Sequence, residues 1–115
     1  MELESVRSLR STNMKLARWQ IEVKVKNTGT EQVFLKNIYV NNKPINEYAL
    51  TVGGSLSSSS SIGTSLPNDG IIIVPGKEET FYIWIGESLF SVGTEISVKV
   101  QNINNVALSK NVVLT

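Results

Sequence analysis

The chain has 115 residues, of which 41% are hydrophobic and 18% charged, and its formal net charge is +1. It has no histidine and no cysteine, and Asp69 is the single aspartate among 10 acidic residues. This composition argues against the imidazole and thiolate chemistry behind most acid–base catalysis and most zinc, iron or copper sites, and it gives no basic footprint for nucleic acid.

The length fits one domain, with enough apolar residues to build a core without disulfides. No run approaches the ~18 apolar residues of a membrane helix, and no secretory signal pattern is visible. Asn and Ser, not Lys and Glu, supply most of the polar side chains. With few carboxylates to protonate, such a fold loses few ion pairs in acid, which hints at acidic or variable pH outside the cytoplasm.

Residues 1–16 read as a leader, or as a stub that follows a membrane anchor. Within them Leu3, Val6 and Leu9 recur every three residues, the spacing of a short helix. Residues 17–115 read as one β-sandwich domain. Trp19, Ile21, Val23 and Val25 interleave with Gln20, Glu22, Lys24 and Lys26, which predicts a half-buried strand. Asn27-Thr28-Gly29-Thr30 is a turn. The next strand runs from Gln32 to Val40. Its apolar parity switches between Leu35 and Ile38, across Lys36-Asn37, as a β-bulge or a change of sheet requires. Asn41-Asn42 is a tight turn, and Pro44 marks an edge or a strand start. Tyr48, Leu50 and Val52 predict a short strand.

Gly53-Gly54 opens a segment with five consecutive serines, Ser57 to Ser61. Serines return few contacts for the entropy lost on ordering, yet Leu56, Ile62 and Leu66 punctuate the run. Asp69-Gly70 is a turn. The continuous run Ile71-Ile72-Ile73-Val74 predicts a strand covered on both faces, or one whose outer face meets something. Pro75-Gly76 signals a type II turn. Thr80 to Ile85 is a strand, with Phe81, Ile83 and Ile85 opposed to Tyr82 and Trp84. Leu89, Phe90 and Val92 lie in the following loop. Ile96, Val98 and Val100 then alternate with polar residues. Asn102 to Asn105 turns the chain into a last strand, where Val106, Leu108, Val112 and Leu114 share a parity that Lys110 interrupts. The total is about seven to eight short strands with turn signals roughly every ten residues, the pattern of an all-β, immunoglobulin-like antiparallel β-sandwich. A small closed barrel is the other arrangement.

The residues carry little reaction chemistry. Glu78 and Glu79 are adjacent, so on a strand they point to opposite faces and cannot flank one bond. No histidine exists to activate a serine, and Ser109-Lys110 has the same adjacency problem. Asn68-Asp69-Gly70 reads as a turn and not as a calcium loop. We therefore assign no catalytic residue, metal or cofactor and read the chain as non-enzymatic. Trp19, Tyr82 and Trp84 are core residues or a sugar-stacking platform. Val52, Leu56, Ile62 and Leu66, with Leu89, Phe90 and Val92, either plug the ends of the sandwich or form an exposed patch for protein contact. The first four are the residues expected to carry self-association. An unpaired edge strand would extend such an interface, and the Tyr48–Val52 and Ile71–Val74 strands are the candidate edges.

The runs WQIEVKVKNTGTEQVFLKNIYVNNKPI, PGKEETFYIWI and GTEISVKVQNINNVALSKNVVL resemble the β-sandwich domains of archaeal pilins and archaellins. Within that group they are most similar to the soluble domain of the archaellum stator family, FlaF and FlaG. The resemblance spans residues 17–114. It implies an extracytoplasmic domain in the pseudoperiplasm between membrane and S-layer, which self-associates as a homodimer and binds S-layer protein and other archaellum components. The family's hydrophobic N-terminal helix does not occur in these residues, so membrane attachment would come from a segment outside them. A subunit domain of a surface filament and a carbohydrate-binding sandwich are the alternatives.

Overall fold

A computed structural model of the chain describes residues 1–10, 17–47, 51–52, 55–56, 62–66, 70–104 and 106–115. The strands are β1 (Glu2–Arg10), β2 (Ala17–Lys26), β3 (Val33–Val40), β4 (Lys43–Pro44), β5 (Thr51–Val52), β6 (Ser55–Leu56), β7 (Ile62–Thr64), β8 (Ile71–Ile73), β9 (Glu78–Gly86), β10 (Glu95–Asn102) and β11 (Ala107–Val113), with one 3₁₀ turn at Ile45–Glu47. Among the described residues no helix is long and apolar enough to cross a membrane.

Two antiparallel sheets hold nine of these strands. Sheet A has four, in the order β1-β2-β9-β7, and sheet B has five, in the order β11-β10-β3-β4 with β8 also paired to β3. Among the described residues β5 and β6 pair only with each other. The protein is thus an all-β antiparallel sandwich, with more strands than the expected seven or eight.

Alternation places the core. From sheet A, Trp19, Ile21, Val23, Val25, Phe81, Ile83 and Ile85 point inward; from sheet B, Leu35, Ile38, Val40, Ile96, Val98 and Val100 do so, and all are buried. The parity switch in β3 is a bulge. Asn37 pairs with Gln101 and Leu35 with Asn102, so Lys36 is left without a partner in the ladder and both halves of β3 keep their apolar face inside.

The N-terminal residues differ from expectation. Residues 2–10 form a strand of sheet A where the three-residue spacing suggests a helix or leader. The reason is a second bulge. The register with β2 shifts between Leu3 and Ser5, so Leu3 lies opposite Val25 and Val6 opposite Val23. One extra residue makes a spacing of three equivalent to one face of a strand. Leu9 pairs with Gln20 and turns outward. β1 also lies alongside β11 across the gap between the sheets, where the Lys110 ammonium donates to the Glu4 carbonyl at 3.0 Å.

The turns follow their residues. Asn41 and Asn42 both have positive φ, 53° and 64°, as a two-residue hairpin of type I′ needs. Gly76 has φ 78°, and the Lys77 N–H donates to the Val74 carbonyl at 3.1 Å, closing the turn that carries the chain from sheet B to sheet A.

Candidate functional site

Sheet edges are where a sandwich exposes unpaired backbone, and most soluble proteins guard them. β11 and β1 lie against each other with Lys110 between them. β4 is the dipeptide Lys43-Pro44, a charge followed by a residue without an N–H. β7 has the β5–β6 hairpin beside it. β8 differs. Among the described residues it pairs with β3 alone, and its sequence Ile71-Ile72-Ile73 contains no charge and no proline.

The outer face beside this edge is apolar. Ile73 is buried, while Ile72 is 51% and Val74 45% exposed. Phe34 lies directly opposite Ile72, and its carbonyl accepts from the Ile103 N–H at 3.1 Å. Ile103 is 58% and Val106 52% exposed. A strip therefore runs from Val74 through Ile72 and Phe34 to the β10–β11 turn. Phe34 and Ile103 also border an open pocket of about 440 Å³ at this end of the sandwich, together with Asn27 and Asn102.

Two buried asparagines fix that end. The Asn27 side chain donates to the carbonyls of Glu31 at 2.8 Å and Ile73 at 2.7 Å, and accepts from the Gly29 N–H at 3.0 Å. Asn102 accepts from the N–H groups of Asn104 and Val106 at 2.9 and 3.0 Å. The bond from Asn27 to Ile73 is what ties the end of β2 to the exposed edge strand.

The sequence-predicted patch is not assembled as expected. Ile62 is fully buried and Leu66 8% exposed. Both belong to the chain's own core, because β7 pairs with β9 and turns Ile62 inward beside Ile85. Leu89 and Phe90 are half-buried and pack against that core, as plugs do. Val92 stands out, 59% exposed. Val52 and Leu56 lie on the β5–β6 hairpin, and their side chains, like Tyr48 and Leu50, fall outside the described residues. The sequence did carry a signal for the observed strip. It is the uninterrupted Ile71–Val74 run, which predicts an outer face that meets something, and the even parity of Phe34 against the core residue Leu35.

The aromatics divide. Trp19 is 1% exposed and is core, so it leaves the sugar-stacking set. Tyr82 and Trp84 turn outward from sheet A. Among the described residues no group of three or more acidic side chains is placed to hold a metal ion.

No family model and no curated protein matches the chain. Solved structures do resemble it, two of them as follows. The archaellum periplasmic stator protein FlaG from Sulfolobus acidocaldarius aligns over 93% of this chain and 97% of its own, at 14% identity and a TM-score of 0.49. The archaellum periplasmic stator protein complex of FlaF and FlaG from the same organism aligns over 96% and 90%, again at 14% identity and 0.49. A likeness of that degree assigns this chain neither a partner nor an activity.

Proposed function

We propose that the chain is a non-enzymatic, extracytoplasmic docking module of the archaellum stator type, which self-associates and holds an S-layer protein. The observation that carries this is the uncharged, proline-free edge strand β8 with exposed Ile72 and Val74 beside it. An edge of that kind, unpaired among the described residues, accepts a further strand, and the adjoining apolar strip supplies area for side-chain contact. The archaeal context rests on the sequence resemblance over residues 17–114. Val92, with Val52 and Leu56 of the β5–β6 hairpin, is a second and smaller contact in this reading, and membrane attachment comes from a segment outside these residues.

The test combines light scattering with capture on isolated S-layer protein. The wild-type chain is expected to form a dimer or larger species and to be retained. Ile72→Lys, a change on an exposed position, should shift the mass to monomer and weaken retention while leaving the melting temperature within a few degrees. A monomeric wild-type chain that S-layer protein does not retain would sink the proposal, as would an Ile72→Lys variant that behaves like wild type in both assays.

A further inference from the structure

The outer face of sheet A is built differently from the apolar strip. Two rows of side chains cross it. In one, Arg7, Glu22 and Tyr82 lie opposite one another on β1, β2 and β9; in the next, Gln20, Trp84 and Gly63 do so on β2, β9 and β7. Arg7 grips Glu22 with two bonds, Nε to Oε1 at 3.1 Å and Nη2 to Oε2 at 3.2 Å. The Trp84 indole N–H donates to Gln20 Oε1 at 2.9 Å, which fixes the ring's orientation. On its other side stands Gly63, with no side chain to cover it.

The rings of Tyr82 and Trp84 are 6.3 Å apart between centroids and inclined by 27°. Rings stacked face to face in van der Waals contact would sit about 3.5–4 Å apart. These two are farther apart than that, so the pair is not closed face to face. Both residues are half-buried: rooted in the sheet, open above. The Tyr82 hydroxyl has no hydrogen-bond partner among the described residues.

We infer that this face binds a neutral oligosaccharide. Successive pyranose units would lay their C–H faces on Trp84 and Tyr82, and their hydroxyls would bond to Arg7, Gln20 and the Tyr82 phenol, with the buried Glu22 holding Arg7 in place. The chemistry selects this class. Aromatic faces flanked by planar, bidentate polar groups suit a ligand that is apolar on one surface and hydroxylated at its rim. The cations of this face are matched by acids: Arg7 and Lys24 both meet Glu22, and Lys26 lies opposite Glu2 and Glu78, so the face lacks the cationic groove that single-stranded nucleic acid requires. The site lies on the sheet opposite β8 and does not depend on the docking reading.

An array of neutral gluco-, manno- and galactopyranosyl oligosaccharides, followed by calorimetric titration of the retained sugars, tests it. At least one is expected to bind. Trp84→Ala and Tyr82→Ala should each weaken binding about tenfold, the loss of one stacking ring, with the amide spectrum showing the fold intact. Ile72→Lys should bind as wild type does. An array that retains no sugar overturns the inference. So does affinity that survives both aromatic substitutions, or a thymidine oligonucleotide that binds the face more tightly than any sugar.

Discussion

Asn27 shows how much one buried side chain can hold. Its amide closes three hydrogen bonds to backbone groups, and its own N–H and carbonyl bond to Lys77 and Gly76 at 3.0 and 2.8 Å. Removing the amide leaves buried carbonyls unpaired, at about 1–3 kcal/mol each. Asn27→Ala should therefore lose about 2–4 kcal/mol in urea denaturation. Asn27→Asp, though equal in size, should lose more, because a carboxylate oxygen would face the Glu31 and Ile73 carbonyls. Part of this was legible in the sequence. Asn27-Thr28-Gly29 reads as a turn because an Asx side chain bonds its own backbone two residues on. The reach to Ile73, 46 residues along, was not, since local pattern carries no information about which distant carbonyl lacks a partner. Gly70 is similar. A turn at Asp69-Gly70 is readable, but the reason for glycine is tertiary: its φ is +81° and an added Cβ would collide with the Leu35 carbonyl.

At the scale of elements, β1 and β8 are where period and surroundings disagree. Leu3 and Val6 read as helix because strand periodicity assumes an unbroken ladder, and the bulge between Leu3 and Ser5 breaks it. The same irregularity in β3 was readable, since there two apolar residues stand on each side of it, Val33 and Leu35 before and Ile38 and Val40 after, and show both parities. Because β1 is part of sheet A, deleting residues 1–10 should cost at least about 2 kcal/mol from the loss of Leu3 burial alone, and should expose the edge of β2 to aggregation. A truncated chain with unchanged melting temperature would return those residues to the status of a leader. The Ile71–Val74 run could not be resolved from sequence, because a strand buried on both faces and a strand with one open apolar face spell the same residues. The exposure of Ile72 and Val74 beside the buried Ile73 is what separates them.

Across the described residues of the whole molecule, few ion pairs link charge to folding. Among the described residues the ion pairs share one carboxylate, Glu22, which meets Arg7 at 3.1 Å and Lys24 at 4.0 Å. Acid therefore has little to dissolve. Glu4 acts in the opposite direction. The hydrogen bond it shares with Glu78, then desolvation, then the Glu78 charge, hold its carboxyl above the usual glutamate range. A raised acid binds its proton more tightly folded than unfolded, so it adds stability below the ordinary glutamate pKa and loses it as pH rises through the folded value. Stability should increase slightly on mild acidification, and the fold should persist at pH 3. Glu78→Gln should flatten that slope, a difference that melting curves across pH would record. The two tryptophans give this sandwich a built-in pair of optical reporters. Trp19 sits in the dry interior, Trp84 on a wet face. Iodide should quench the second and spare the first, so a ligand seated on sheet A would dim the accessible component alone, while melting would merge the two emissions into one.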